Sequence, residues 1–351
     1  MTKNYARKNI QAIAGYTPGE QLTGRRIIKL NTNENPYPPS PKVGEALRAF
    51  PWETLRLYPE PTALPLREAA SAIFGIPKEY IICGNGSDDL LTIALRTFVN
   101  DGEAFAFPEP SYSLYPVLAD LQSAVRRPFA LTEEFGLPAD IIQQAGDAKL
   151  LILARPNAPT GNSYPMDAIR ALCRDFDGVV WIDEAYADFA DDNCLALVQE
   201  FPNVVVSRTF SKSYSLAGLR MGIAFAAPAL VNEMNKLKDS YNTDRLAQAL
   251  AVAALQDQAY LKANVAKIRA TRADVTAKLS AHGCTVLPSQ ANFLLFRPAL
   301  RPAGEIFQAL RERGILVRYF SLPRVDQYIR LTIGTDAEMA EFLQALFELD
   351  R

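Results

Sequence analysis

Six short apolar segments, separated by stretches with helical spacing, constrain the fold of this chain more than any other feature. They are bounded by Gly, Asn, Asp or Pro and lie at residues 80–83, 104–107, 150–154, 179–182, 204–207 and 222–226. Continuous apolar runs of this length are typical of strands buried on both faces. After the first run, residues 88–99 carry apolar side chains at helical spacing, with Ser87 as the predicted N-cap. The sequence therefore predicts an α/β fold, with a mostly parallel sheet covered by helices on both faces.

The pattern changes near residue 280. Short strands are predicted at 284–287, 293–296, 315–318 and 328–333, with helices near 304–313 and from 336 onwards. This texture predicts a smaller α+β domain. The first 45 residues are too rich in Asn and Pro for a regular element, and we interpret them as an arm that packs with the small domain. The predicted organisation is an arm at 1–45, a large domain at 46–279 and a small domain at 280–351.

The charge and residue composition of the chain limit the kinds of molecule that it is expected to bind. The chain has 37 Lys and Arg against 39 Asp and Glu, and no block of five like charges, so neither nucleic acid nor a membrane surface is predicted to bind. No apolar run approaches the ~18 residues of a membrane span and no secretory h-region follows the basic N-terminus, which predicts a cytoplasmic protein. Four dispersed cysteines predict buried free thiols. The single histidine, His282, argues against a histidine metal site or a hydrolase triad.

Three charged residues carry the strongest indication of chemistry. Asp183 ends the fourth apolar run, and Lys212 and Arg220 follow the fifth. In open α/β sheets, ligands bind at the carboxyl ends of the strands. A lysine amine can hold an aldehyde as a Schiff base, a carboxylate can keep a pyridine nitrogen protonated, and a second cation can meet a phosphate. Together the three residues predict a pyridoxal-phosphate site, although Asp183 alone would equally fit a helix cap.

Further candidates lie in the turns after the strands. Tyr186 and Asn157 could each bond the cofactor's ring oxygen, and as lone residues both would also fit an ordinary core or loop position.

A second set of candidates surrounds the start of the first predicted helix. Gly86, Ser87 and Asp88 join a strand to that helix, whose free N–H groups and positive end could hold a phosphate. A dinucleotide fingerprint fails, because Asp89 stands where its last glycine is required. Tyr112 could supply an aromatic face for the planar ring, or could simply be a packed tyrosine.

With these motifs, the chain resembles the fold-type I pyridoxal-phosphate aminotransferases and, within them, the histidinol-phosphate aminotransferases. The matching segments extend over nearly the whole chain, at residues 30–37, 57–60, 86–88, 183–186, 209–212, 216–220 and 329–334. The lysine and DEAY motifs are specific for the fold type. The Asn-rich run and the C-terminal arginines indicate the subgroup.

The resemblance implies a role for each matching residue. Lys212 would form the Schiff base and move the proton, Asp183 would pair with the ring nitrogen, and Tyr112 would stack on the ring. Tyr186 and Asn157 would bond the ring oxygen. The phosphate would be surrounded by Gly86, Ser87, Asp88, Thr209, Ser211 and Arg220, joined by Tyr58 from the partner subunit of a homodimer. The substrate would be bound by Tyr16, Asn35, Arg318 and Arg330.

The implied reaction moves an amino group between L-histidinol phosphate and 2-oxoglutarate, a step of histidine biosynthesis. Three alternatives stay open: an aminotransferase for aromatic or other amino acids, a threonine-phosphate decarboxylase of the same subgroup, and a non-catalytic cofactor-binding or regulatory protein. One departure from the family pattern is Arg155, which stands where many relatives carry asparagine. It leaves Asn157 in place, so we expect cofactor binding to be intact, and an extra cation near the ring could alter which substrate fits.

Overall fold

A computed structural model describes residues 3–15, 19–21 and 26–351 of the chain. Its strands, numbered in chain order, are β1 Ile28–Lys29, β2 Ile81–Gly84, β3 Ala104–Glu109, β4 Val125–Ala130, β5 Leu150–Ala154, β6 Val179–Asp183, β7 Val204–Thr209, β8 Gly222–Ala226, β9 Thr285–Val286, β10 Phe293–Arg297, β11 Ile315–Leu316, β12 Arg318–Tyr319 and β13 Ile329–Thr332. Its α-helices are α1 Lys8–Gln11, α2 Pro41–Ala49, α3 Leu64–Phe74, α4 Ser87–Phe98, α5 Leu114–Gln122, α6 Ile141–Ala145, α7 Met166–Asp175, α8 Leu197–Glu200, α9 Pro228–Leu237, α10 Arg245–Leu255, α11 Gln258–Ala281, α12 Ala303–Glu312 and α13 Asp336–Leu349.

The central sheet has seven strands in the order β2-β8-β7-β6-β5-β3-β4. Only β8 runs antiparallel to its neighbours, so the other six point the same way. Side chains alternate between two apolar cores: Leu151 and Leu153 of β5 pack on one face, and Leu150 and Ile152 on the other. Both faces of the sheet are therefore covered, and the predicted α/β fold with its mostly parallel sheet is confirmed.

All six predicted strands of this sheet are present, but the seventh, β4, was not predicted from the sequence. Arg126 and Arg127 give it little apolar character, and Pro128 interrupts the pattern. These residues are tolerated because β4 is an edge strand of the sheet. The backbone on its outer side has no strand to pair with, so a proline there removes no hydrogen bond of the sheet. In β4 only Phe129 is buried.

The helix that follows β2 begins one residue earlier than predicted. Ser87 is the first residue of α4, and Gly86 takes the N-cap position without a side-chain hydrogen bond, so the assignment of Ser87 as the cap is wrong. Gly86 has φ +87°, a backbone conformation that favours glycine. The uncapped first turn leaves backbone N–H groups of α4 available to a ligand.

The N-terminal 45 residues contain regular structure that the sequence did not predict. Strand β1 pairs in parallel with β11, with Ile28 opposite Ile315, and α2 begins at Pro41 behind the N-cap Ser40. A two-residue strand has no periodicity to detect, and this one exists only through a distant partner. The predicted strand at 315–318 is divided for the same reason, because β11 pairs with β1 whereas β12 pairs with β13.

A four-stranded sheet in the order β12-β13-β10-β9 lies over a third apolar core, to which α11, α12 and α13 contribute. The boundaries of the arm and the two domains remain a prediction. All four cysteines are free and buried, as predicted. In the described part of the chain, no helix has both the length and the apolar character that a membrane crossing needs.

Candidate active site

A cavity of about 220 Å³ lies at the carboxyl ends of the central strands. Most of the residues predicted to act on cofactor or substrate line it: Ser87, Asp88, Tyr112, Asp183, Tyr186, Thr209, Ser211, Lys212, Arg220, Arg318 and Arg330. The fold therefore brings together side chains that are up to 243 positions apart in the sequence, as Ser87 and Arg330 are. Four predicted site residues are not part of the wall: Gly86 and Asn157, which directly precede the lining residues Ser87 and Ala158 in the chain, and Tyr58 and Asn35.

Lys212 lies in the loop after β7, with its amine inside the cavity. Its Nζ donates to the backbone oxygen of Thr32 at 3.0 Å and lies 5.8 Å from the ring centre of Tyr186. Burial, together with the nearby charge of Arg330, lowers the pKa of the Lys212 amine to about 8. About a tenth of the amine is therefore neutral at pH 7, far more than for an ordinary lysine, and the neutral form is the one that a nucleophile or proton acceptor requires.

Asp183 is the last residue of β6 and is almost completely buried. Its carboxylate accepts hydrogen bonds from Ala185 N at 3.2 Å, Tyr115 Oη at 3.3 Å and Ser207 Oγ at 3.5 Å. Burial raises the pKa of Asp183 to about 6, with a further contribution from the charge of Asp88. None of the described cationic side chains forms an ion pair with Asp183, so the site suits a ligand that brings its own cationic N–H.

The start of α4 and Arg220 form a cradle for an anion. A Cβ added to Gly86 would lie 2.6 Å from the Arg220 guanidinium, so any other residue would force that side chain to move. The guanidinium lies 3.7 Å from Asp88 and donates to Ser211 Oγ at 3.4 Å. Thr209 Oγ1 accepts from Ser211 N at 3.1 Å, which restrains the backbone of Ser211. Cation, hydroxyls and helix N-terminus together fit a phosphate group.

The predicted partners of the ring oxygen have different surroundings. The hydroxyl of Tyr186 accepts from Asn33 Nδ2 at 2.9 Å and keeps its own proton for a ligand. Asn157 directs both amide protons elsewhere, to Pro110 O at 3.0 Å and to Thr160 Oγ1 at 2.8 Å. Its bond to a ring oxygen remains a prediction, since a ligand would have to displace one of these acceptors.

Two arginines face the cavity from the smaller sheet. Arg330, on β13, donates to Asn31 O at 2.8 Å, and its guanidinium carbon lies 5.4 Å from the ring centres of Phe293 and Phe320. The guanidinium carbon of Arg318, on β12, also lies 5.4 Å from the ring centre of Phe320. Backbone pairing of β12 and β13 places the two arginines directly opposite each other. Two cations at one wall suit an anionic substrate.

The remaining predicted site residues are placed differently. The Asn35 amide donates to the backbone oxygens of Lys212 at 3.0 Å and Ser213 at 3.2 Å, so it supports the lysine loop. Tyr112 lines the cavity and donates to Asp88 Oδ1 at 3.2 Å. Tyr58 is 75% exposed on the surface and stacks on Tyr241. Tyr16 lies outside the described residues.

Arg155 does not have the expected position near the ligand. Its buried guanidinium donates through Nε to Tyr164 O at 2.8 Å and through one terminal nitrogen to both carboxylate oxygens of Asp192, at 2.8 and 2.9 Å. It is absent from the cavity wall. Arg155 therefore does not place an extra cation in the cavity wall, and its charge is paired with Asp192 instead.

Sequence reasoning missed several residues that shape the cavity. Tyr115 and Ser207 hold the Asp183 carboxylate, Asn33 holds the Tyr186 hydroxyl, and Glu34 lines the wall while bonded to Lys29 at 2.7 Å. For Asn33 and Glu34 the sequence does contain a signal. The Asn-rich segment at 31–35 indicates turns, and its polar side chains could also have been considered as hydrogen-bond donors to a site. Nothing in the sequence distinguishes Tyr115 or Ser207 from other core positions.

The fold and the cavity define a class of protein. A mostly parallel sheet with a half-buried lysine, a buried carboxylate and an anion cradle at its strand ends is the architecture of the fold-type I pyridoxal-phosphate enzymes. The family model for aminotransferase class I and II matches residues 25–346. The chain belongs to the class I and II aminotransferase family.

Comparison with individual proteins narrows the similarity. The chain is 48% identical over 344 residues to histidinol-phosphate aminotransferase from Geobacter sp. strain M21, covering 98% of each chain. It is 46% identical to the enzyme of that name from Microcystis aeruginosa, covering 97% of each. The crystal structure of histidinol-phosphate aminotransferase from Sinorhizobium meliloti in complex with pyridoxal-5'-phosphate has a TM-score of 0.90 and 26% identity, covering 100% of this chain and 98% of that one. L-threonine-O-3-phosphate decarboxylase from Porphyromonas gingivalis, at 22% identity and a TM-score of 0.80, shares the fold.

Proposed function

We propose that this protein is a pyridoxal-phosphate-dependent aminotransferase that moves the amino group between L-histidinol phosphate and 2-oxoglutarate, in histidine biosynthesis. The observation that carries the proposal is near-full-length identity of 46 to 48% to relatives of that name, combined with a cavity that holds the implied lysine, carboxylate and anion cradle. A cytoplasmic location remains a prediction.

The chain's residues divide the work within the cavity. Pyridoxal phosphate, when bound, supplies an aldehyde for a covalent link and a ring that accepts electrons. Lys212 provides the amine for that link and, once released, accepts and returns the substrate proton at Nζ. Asp183 keeps the ring nitrogen protonated, and Arg220 with the first turn of α4 holds the phosphate. The Tyr186 hydroxyl, which accepts from Asn33, would donate its proton to the ring oxygen.

A direct assay tests the proposal. Purified protein with L-histidinol phosphate and 2-oxoglutarate should form glutamate in proportion to donor consumed. The rival amino-acid aminotransferases predict instead a preference for an aromatic donor, because imidazole and phenyl pockets differ by few polar groups. A threonine-phosphate decarboxylase would release carbon dioxide and need no oxo acid. Growth rescue of a histidine-requiring strain would establish the activity in cells, and failure with good expression would contradict it.

The two opposed arginines make a testable distinction between substrates. Histidinol phosphate has no carboxylate, so its phosphate has to use the anion site that binds the 2-oxoglutarate carboxylate. Arg330→Ala should weaken both half-reactions by about 2–5 kcal/mol, because a planar guanidinium forms two charge-assisted bonds with either anion. Arg318→Ala should impair the phosphate substrate more than the oxo acid, since a dianion requires the second cation. Single-turnover kinetics with each substrate separately measure both effects.

Arg313→Ala provides a matched control, because this arginine forms an exposed ion pair with Glu348 and does not line the cavity. It should leave both half-reactions unchanged. Equal losses for the two substrates in the Arg318 variant would remove the reason for preferring a phosphate donor over an ordinary amino acid.

We also propose a homodimer. Trp52, Leu55, Leu57 and Tyr58 lie together in one short segment, and each is between 46 and 75% exposed in the single chain. A run of large exposed hydrophobic side chains indicates an interaction surface, and a second copy of this chain would cover it. The resemblance implies that Tyr58 then reaches the phosphate in the partner's cavity.

Tyr58→Phe should weaken cofactor retention and leave the dimer intact, because only the hydroxyl is lost while the apolar ring remains. Dissociation of the cofactor on dilution, followed by absorbance, checks the first effect, and light scattering checks the second. Tyr241→Phe is the control, since Tyr241 stacks on the same ring at 4.4 Å. A stable and fully active monomer would refute both the dimer and the role of Tyr58.

A further inference from the structure

A buried charge cluster lies behind the cavity wall and takes no part in the chemistry described above. Arg208, near the end of β7, donates to Glu184 Oε2 at 2.9 Å and to Asp188 Oδ1 at 3.1 Å. The Glu184 side chain is fully buried, and those of Arg208 and Asp188 are 11% and 22% exposed. The second oxygen of each carboxylate accepts from a further group, Cys194 N for Glu184 and Ser213 Oγ for Asp188.

The position of the cluster along the chain connects it to both reactive residues. Glu184 directly follows Asp183, and Ser213 directly follows Lys212. The guanidinium of Arg208 therefore joins the end of β6, the short turn at Ala187–Phe189 that contains Asp188, and the loop of the lysine. The same loop is also held from the N-terminal segment, where the Asn35 amide donates to the backbone oxygens of Lys212 and Ser213.

The free-energy cost of burying this cluster is a reason to look for a role other than stabilising the fold. Burying three charged groups costs solvation free energy that their mutual attraction seldom exceeds, so a buried ion-pair cluster is weak evidence for stabilisation. The cluster does restrict geometry, because a guanidinium bonded to two carboxylates has one favourable orientation. Displacement of a reactive group by about 1 Å can cost about 100-fold in rate.

We propose that Arg208, Asp188 and Ser213 are positioning residues that fix the Lys212 loop relative to Asp183, so that the amine and the carboxylate meet the same ligand from set directions. The inference rests on the proposed function of Lys212 and deepens it. Within the cluster, Ser213 is the most informative position. Among the described residues, its hydroxyl makes the only hydrogen bond between the side chains of the cluster and the lysine loop, and its removal leaves the bonds of Arg208 in place.

Ser213→Ala in the holoenzyme should reduce kcat by about 10- to 100-fold. The melting temperature should fall by no more than about 4 °C, as expected for one lost hydrogen bond. A positioning role also predicts a change that simple destabilisation does not produce. The pH midpoint of the bound cofactor's visible absorption, which reports the protonation of its link to Lys212, should move upward, because a loosened lysine is less buried and lies less closely against Arg330. Asp188→Asn, which keeps the side-chain size, should move the midpoint the same way.

Ser40→Ala is the matched control. Ser40 is buried to the same degree as Ser213 and also donates to an aspartate, Asp257, but it caps α2 away from the cavity. It should lower the melting temperature without changing kcat or the pH midpoint. An unchanged midpoint in Ser213→Ala, or a loss of kcat equal to that of Ser40→Ala, would overturn the proposal. Failure of the proposed function itself would appear separately, as a wild-type protein with no borohydride-trapped link to Lys212.

Discussion

Lys212→Ala is expected to have no measurable turnover while the protein stays folded. The substitution removes the only described amine in the cavity and, with it, both the covalent link to the cofactor and the group that moves the substrate proton. The lowered pKa of about 8 supports both tasks, because it keeps a neutral fraction of the amine near pH 7. Loss of two functions at one atom makes this the largest effect that we expect from a single substitution.

The measurement combines activity with covalent trapping. Wild-type protein treated with borohydride should carry the cofactor on Lys212, identified by peptide mass spectrometry, and the variant should carry none. Lys278→Ala serves as the control, because its amine forms an exposed ion pair with Asp274. A variant that keeps both the trapped link and its activity would show that another amine performs the reaction.

The lysine and carboxylate could be predicted from the sequence because each follows a strand of continuous apolar residues. Asp183 directly ends β6, and Lys212 lies three residues beyond β7, so identification of the strands also located the strand ends. The same reasoning failed for β4, whose arginines and proline give no apolar run, and for β1, which depends on β11. A local pattern predicts a strand whose own apolar side chains are buried. It does not predict a strand that forms only because a segment distant in sequence pairs with it.

The parts of the site that could not be predicted are those made by packing between segments. Arg208 and Glu184 are ordinary charged residues in the sequence, and only the parallel pairing of β6 with β7 places one beside the other. Arg155 shows the converse, because its place next to Pro156 and Asn157 suggested a role at the ligand. The fold directs its side chain to Asp192 instead. The position of a residue in the sequence can therefore predict where its backbone lies. The direction of a long side chain cannot be predicted in this way, because it depends on the residues that surround it in the fold.

Asp183→Asn should keep much of the cofactor binding and lower kcat by about 100-fold or more. Holding a ring nitrogen protonated two pH units above its free pKa needs about 2.7 kcal/mol, which a neutral amide in place of the carboxylate does not supply. Ser207 and Ala185 N donate to one carboxylate oxygen and Tyr115 to the other. The amide oxygen can keep the first two bonds, and the Tyr115 hydroxyl can rotate to accept from the amide nitrogen, so the geometry of the pocket should survive. Steady-state kinetics and cofactor titration measure the two effects, with the exposed Asp147→Asn as control.

The same substitution should stabilise the cofactor-free protein, and the sign follows from the pKa. Burial raises the pKa of Asp183 from its ordinary value of 3.8 to about 6, so the folded protein binds this proton more tightly than the unfolded chain. The cost of ionising the buried carboxylate is fully present above about pH 6, falls as the pH decreases, and is absent below 3.8. At pH 7 the Asn variant should therefore gain at most about 3 kcal/mol in free energy of unfolding, and the gain should disappear near pH 4. Chemical denaturation at both pH values measures it. An Asn variant that is less stable at pH 7, with a rate within a few-fold of wild type, would reduce Asp183 to a structural residue at the end of β6.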